Sequence, residues 1–262
     1  MAFTAAEIKN LALMELNHET ITDWTDQTNT DIPIIDTQYA LAKKVALTMY
    51  QWSWAFKYAI LPTYEYVVTF PADRKPNSVF TIYTDNTKTT QITEYVNDEN
   101  KIYVNAETIY LEYVDTADTT QETALTGINE AETVGNYKRA TLLPTDFLGY
   151  LAAYPAEQIN VLADYTNIGT VIYTNNESLR IKYIADVDES VFTPEFVDWF
   201  KVFLAQRLNS YLNGDMQRQQ LLTGEEPFFF RKAKNIDSKR NKHDSLDGNP
   251  MLWIRGKIGG SI

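Results

Sequence analysis

The stretch KIYVNAETIYLEYVD (101–115) is echoed seventy residues later by VIYTNNESLRIKYIAD (171–186). With Ile102 set on Ile172, Tyr103 meets Tyr173, Asn105 meets Asn175, Glu107 meets Glu177 and Tyr113 meets Tyr183. Between these five identities in thirteen positions fall like-for-like exchanges: Thr108/Ser178, Ile109/Leu179, Leu111/Ile181 and Val114/Ile184. Both stretches alternate in polarity around an Asn-rich turn, the pattern of paired strands with one buried face. A Pro-x-Asp lead-in, FPAD (70–73) or LPTD (143–146), stands about thirty residues before each. The doubling predicts a β region over 62–191 made of two related strand units, 62–115 and 142–186. Between them, 116–140 reads as a long loop, because TADTTQETALTGINEAETVGN has no period and few large apolar groups. One hairpin is marginal in water, whereas two such units side by side make a sheet large enough to persist.

Helical signals flank this region. Thr4 with Glu7 makes a capping box, Phe3 and Ile8 a hydrophobic staple, and Ile8, Leu11, Ala12 and Leu16 one apolar stripe. After a polar loop, a second helix is expected from near Asp36 through WSWAFKYAI to Pro62. Phe192-Thr193-Pro194 starts another, with proline at its first position and Gly214 at its end. A shorter helix from Asp215, broken at GEEP (224–227), precedes FFFRKAKNIDSKRN. The expected organisation is α+β. Helices in 1–61 and 192–242 form one discontinuous bundle, the repeated antiparallel β region is inserted between them, and 243–262 is an extended C-terminal arm.

Net charge is −12 and unevenly spread. Residues 231–262 hold eight Lys/Arg against three Asp, which leaves 15 basic and 32 acidic residues, or −17, in the first 230. The tail is either an ordinary basic end or a segment that seeks an acidic partner. There is no cysteine, so disulfides, thiolate metal sites and thiol nucleophiles are excluded. MAFTAAEIKN lacks the features of a signal peptide and no stretch approaches a membrane span, which implies a soluble, intracellular-type setting and no membrane partner.

Catalytic groupings are missing from the pattern. His18 and His243 are the only histidines, the ten glycines never fall in phosphate-loop spacing, and DVDES (186–190) lacks the glycine and closing glutamate of a calcium loop. No cofactor or metal is implied and the chain reads as a non-enzyme, although a carboxylate pair is able to hide among 35 acids, leaving a hydrolase as a minor reading. Aromatic groups crowd Trp52–Phe56, Trp199–Phe203 and Phe228–Phe230. They are core or, since three adjacent phenylalanines cannot share one helical stripe, subunit interface; the interface candidates are Phe196, Trp199, Phe200, Phe203, Phe228, Phe229 and Phe230. In the tail, Met251, Leu252, Trp253 and Ile254 with Arg255 and Lys257 form an aromatic anchor with basic flanks, suited to docking on a partner.

The order of motifs resembles the tail tubular protein A-like head-to-tail adaptor, or connector ring, proteins of short-tailed bacteriophages, including crAss-like phages. The likeness rests on WSWAFKYAILP (52–62), LLPTDF (142–147), LRIKYIADVDESVFTPEFVDWFKVFLAQRL (179–208), AKNIDSKRN (233–241) and WIRGK (253–257), about half the chain. The resemblance implies a virion structural protein of the tail or neck, assembled in the host cytoplasm. About twelve identical subunits would form a ring below the portal protein, extend the DNA channel and give the next tail ring a platform. DNA would pass an acid-lined lumen without specific binding, since neutralising phosphates is what retains it. The alternative, from a different class, is a carbohydrate- or protein-binding β-module on a helical stalk, as in a tail or surface adhesin.

Overall fold

Thr4 caps the first helix as its sequence predicts, with Glu7 N donating to Thr4 Oγ1 at 3.2 Å and Thr4 N donating to Glu7 Oε2 at 2.8 Å. The computed structural model describes residues 2–98, 100–129, 137–156 and 162–247. The protein mixes four helices with antiparallel sheets among these residues, an α+β fold. The chain divides into two units. One takes the chain up to Lys57, Leu148–Tyr150 and the part from Ile184 onward; the other takes Tyr58–Phe147 and Leu151–Tyr183.

The first unit holds helices α1 (Ala5–Glu15), α2 (Asp31–Thr48), α3 (Pro194–Leu212) and α4 (Met216–Asp247). Helix α2 starts at Asp31, five residues before the expected Asp36. Pro33 lies in its first turn, where the missing N–H has no helical acceptor in any case. The helix also ends early, at Thr48. Ser53–Ala55 is a short 3₁₀ turn, and Phe56–Pro62, expected as helix, is strand β1. Its run FKYAILP is apolar without a decisive period, and tertiary pairing chose between the two readings. Helix α3 begins as expected, Phe196 N donating to Thr193 Oγ1 at 3.3 Å, and Gly214 follows it with φ +62°, a conformation glycine adopts without strain. Helix α4 is continuous through Pro227 instead of breaking at GEEP. Leu222, Ala233 and Asp237 on its inner face are buried, and that packing outweighs the lost hydrogen bond. Since α4 continues to Asp247, residues 243–247 are helical rather than extended, and 248–262 lie outside the described residues.

The second unit holds most of the strands: β2 (Tyr66–Thr69), β3 (Phe80–Tyr83), β4 (Val96–Asp98), β5 (Lys101–Val104), β6 (Thr108–Val114), β7 (Thr120–Thr126), β8 (Arg139–Leu142), β9 (Phe147–Pro155), β10 (Tyr165–Ile168), β11 (Val171–Thr174) and β12 (Ser178–Ala185). Strand β7 corrects the expectation of a loop over 116–140, since it pairs with β6 along its whole length. Its one large apolar residue is Leu125, and an edge strand that only half-buries Gln121, Thr123 and Leu125 has little periodic signal to read.

The two similar stretches make matching contacts. Strand β5 lies between β2 and β4, and β11 lies between β8 and β10. Tyr103 opposes Val67 and Val96, while Tyr173 opposes Ala140 and Thr166. The chain then enters a second three-stranded sheet, ordered β3-β6-β7 in one place and β1-β12-β9 in the other. Tyr113 donates its hydroxyl to Asp73 Oδ1 and Tyr183 donates to Asp146 Oδ1, both at 2.9 Å. Gly127 N reaches Glu107 O at 2.6 Å, as Thr63 N reaches Glu177 O at 3.3 Å. A Cβ at Gly127 would stand 2.8 Å from that of Tyr66, so this close approach requires glycine. The next residues, Ile128 and Tyr64, exchange paired backbone hydrogen bonds with Val67 and Ala140. Val68, Ile82, Ile102, Ile109 and Leu111 form the core of the first set, while Tyr103 and Tyr173 share a cluster with Tyr64, Val67 and Ala140.

Burial and then the bond to Asp146 push the Tyr183 hydroxyl up to about 12, so it stays a neutral donor through the physiological range. Burial and then Asp73 raise Tyr113 in the same direction. Replacing either tyrosine by phenylalanine removes a hydrogen bond to a carboxylate in the same setting. Each change should cost roughly 1–2 kcal/mol, read as a lower urea midpoint, and equal midpoints in variant and parent would contradict the matched roles.

Asp115 closes the β6–β7 turn, accepting from Thr119 Oγ1 at 2.5 Å, Thr119 N at 2.9 Å, Gln121 Nε2 at 2.8 Å and Ala117 N at 2.9 Å. The Thr119 hydroxyl first, and then the other donors, hold its carboxyl down at about 2, against an ordinary 3.8. A depressed folded-state value means stabilisation that is full above the ordinary value and lost as pH falls through the folded one. Melting temperature should therefore drop between about pH 4 and pH 2, with a shallower drop in Asp115→Asn.

Candidate functional site

The first unit is organised around Trp52, which is fully buried and donates Nε1 to Ala46 O at 2.9 Å. Its ring meets Phe196 at 5.0 Å, Trp199 at 5.7 Å, Trp54 at 6.0 Å and Phe230 at 6.2 Å between centroids. Trp199 in turn donates Nε1 to Glu226 Oε1 at 2.5 Å. Asp237, buried on α4, accepts from Ser53 Oγ at 2.6 Å and Ser53 N at 3.1 Å, which fixes the turn carrying Trp52 and Trp54. Edge-on and offset ring pairs of this kind add to the area they bury.

This arrangement corrects the interface assignment. Phe196, Trp199 and Phe200 have no exposed surface and belong to the interior of their own chain, so they have nothing to offer a neighbouring subunit. Phe203 is half-buried against Trp199 at 5.4 Å, with the Arg207 guanidinium 4.8 Å from its ring. Phe229 and Phe230 are half-buried, Phe230 lying 4.8 Å from Trp199. Only Phe228 of that run is open, at 64 % exposure. Met251, Leu252, Trp253, Ile254, Arg255 and Lys257 lie outside the described residues.

Helix α2 presents what the aromatic runs do not. Ile32, Ile35, Tyr39, Ala42 and Ala46 face inward, yet Ile34, Leu41, Val45 and Met49 stand exposed. Their spacing of seven, four and four places them on a second face of the same helix. An exposed apolar stripe beside an inward-facing one makes this helix face a candidate contact surface. Leu221 and Phe228 repeat the spacing of seven on α4. Phe3, Leu11 and Met14 line a groove of about 320 Å³ on α1. The spacing is legible in DIPIIDTQYALAKKVALTM, where apolar residues fall at two phases of the helical period.

Ion pairs in this unit tie elements together. Lys43 Nζ stands 3.1 Å from both Asp186 and Glu189, and Tyr39 donates to Glu189 Oε1 at 2.9 Å. Burial, reinforced by the Glu189 charge, raises the Tyr39 hydroxyl far above the usual phenol range and keeps it a donor. Among the described residues no group of three His, Asp or Glu side chains is placed to hold a metal ion. His18 lies 3.8 Å from Asp31 at the entrance to α2. In the second unit, an open cleft of about 890 Å³ carries Glu65, Glu94 and Glu177, and Arg139, the one cation among its described lining residues, pairs with Glu65 at 2.6 Å.

Searches for related proteins return no matching protein-family model and no matching curated protein. Trp199→Ala should cost about 3–5 kcal/mol because it empties the interior, whereas Phe228→Ala should change stability by less than about 0.5 kcal/mol. Chemical denaturation of the two variants separates interior from surface, and comparable losses in both would contradict the assignment.

Proposed function

We propose that this protein is a structural subunit of a head-to-tail connector ring in a short-tailed bacteriophage virion, docking below the portal protein and carrying the DNA channel toward the next tail ring. The observation that carries this reading is the second apolar face of α2, Ile34, Leu41, Val45 and Met49, left open in the single chain. In a ring each copy presents one face to the copy before it and a different face to the copy after it, so a heterologous contact between helices covers such a stripe. Leu221 and Phe228 on α4 supply a second apolar surface on the same unit. The motif order described from the sequence supports the same class, as does the acidic balance of the first 230 residues, which disfavours retention of DNA in a lumen.

On this reading the helices of the first unit form one discontinuous bundle that packs copy against copy. The second unit is a duplicated β module: the matched registers of β5 and β11, and the matched Tyr113–Asp73 and Tyr183–Asp146 bonds, support descent of both halves from one strand unit. The segment 248–262, with Trp253 as its anchor, docks on the portal or on adjacent subunits. The protein has no catalytic role in this scheme and no cofactor.

Native mass spectrometry of the purified chain, alone and with a portal complex, tests the reading. A closed ring of fixed stoichiometry is expected. Leu41→Glu combined with Val45→Glu should leave the monomer folded, because both side chains already face water, and should abolish the ring. A parent that stays monomeric under both conditions, or a double variant that still closes rings, would overturn the proposal.

A further inference from the structure

The second unit contains a guanidinium, that of Arg74, with no counter-ion among the described residues. Arg74 lines a pocket of about 900 Å³, within the range of ligand sites. Its guanidinium lies 4.0 Å from the Phe70 ring centroid and 4.9 Å from that of Phe80, and Nη2 donates to Ser78 O at 3.0 Å. Nε is buried and has no acceptor among the described residues. No described carboxylate lies within ion-pair distance, although the chain holds 35 acids and pairs Lys9, Lys43, Lys88, Arg139, Lys201 and Arg218 with them. Partial burial lowers the Arg74 pKa, the direction expected of a cation held away from water without a partner.

The corresponding turn in the second stretch carries no cation at this place. Arg74 follows Asp73 as Phe147 follows Asp146, and the two share one backbone turn, Arg74 N to Pro71 O at 3.1 Å and Phe147 N to Pro144 O at 3.0 Å. In the second setting the position holds a ring that packs 6.1 Å from Tyr183. The described lining of the Arg74 pocket is free of acids and rich in groups that both donate and accept: Thr69, Asn77, Ser78, Asn97 and Asn100.

We propose that this pocket binds the carboxylate of an acidic saccharide, with Arg74 holding the carboxylate and the side-chain amides of Asn77, Asn97 and Asn100 reading the ring hydroxyls. A planar guanidinium matches a carboxylate in a two-bond fork. The amide and hydroxyl lining suits a polyhydroxylated ligand, and a polyacidic peptide would instead meet the excess of 32 acidic over 15 basic residues in the first 230. The inference does not depend on ring assembly; it stands or falls on this one pocket.

Titration of the full chain by calorimetry and NMR with D-glucuronate, D-glucose, acetate and a pentaglutamate peptide tests it. Glucuronate should bind, and glucose and acetate each about tenfold or more weaker, since each lacks one half of the recognition. Arg74→Gln should weaken glucuronate by a similar factor while its melting curve reports folding. Asn97→Ala, at an exposed position, leaves the cation in place and should weaken glucuronate without changing acetate. The proposal is overturned by glucuronate that fails to bind at millimolar concentration, by equal binding to Arg74→Gln, by acetate binding as well as glucuronate, or by preference for the peptide.

Discussion

The indole of Trp52 is hemmed in by segments far apart in the chain: Ala46 at the end of α2, Phe196 and Trp199 on α3, and Phe230 on α4. Asp237, also on α4, clamps the neighbouring Ser53. These contacts make one unit out of the beginning and the end of the sequence, with the β region leaving and returning between them. Large rings suit this task because each buries much area and tolerates several edge-on and offset partners at once. The same packing carries α4 straight through Pro227, where local propensity alone ends a helix.

The second unit obeys a different constraint. Each middle strand, β5 or β11, is pinned on both sides by register, and a slip of one residue would turn Ile102 or Ile172 out of the core. A tyrosine hydroxyl on the following strand then fixes the Pro-x-Asp turn through a charged acceptor. Where the two settings differ, the difference is informative. Gly127 answers to Thr63 and Arg74 answers to Phe147, so the two settings share backbone hydrogen bonds while their side chains at these positions differ.

Charge is distributed according to the same division. Several half-buried cations are matched by carboxylates that join one element to another, as Glu15 does with Lys201 and Arg218 or Glu65 with Arg139. Pairs of this sort, still partly in contact with water, contribute modestly to stability and hold particular elements together. Arg74, stacked on Phe70 and Phe80, has no described carboxylate at ion-pair distance, and the outer face of α2 leaves Ile34, Leu41, Val45 and Met49 exposed.

The capping box at Thr4, the proline start and glycine stop of α3, and the strands β5, β6, β11 and β12 were legible in the sequence, because each rests on local rules of hydrogen bonding and side-chain period. The doubled stretch likewise announced the Tyr113 and Tyr183 positions, though not that both hydroxyls close on the aspartates of FPAD and LPTD. Tertiary structure alone decided the fate of FKYAILP, of TQETALT and of Pro227, where local preference is nearly balanced or opposed and partner strands or helices tip it. It also decided which aromatics are interior. Phe196, Trp199 and Phe200 share the composition of an interface, and only packing against Trp52 separates them from Phe228, which stays in water. Sequence records how apolar a side chain is, but burial depends on what the rest of the chain brings beside it, and that is a property of the folded whole.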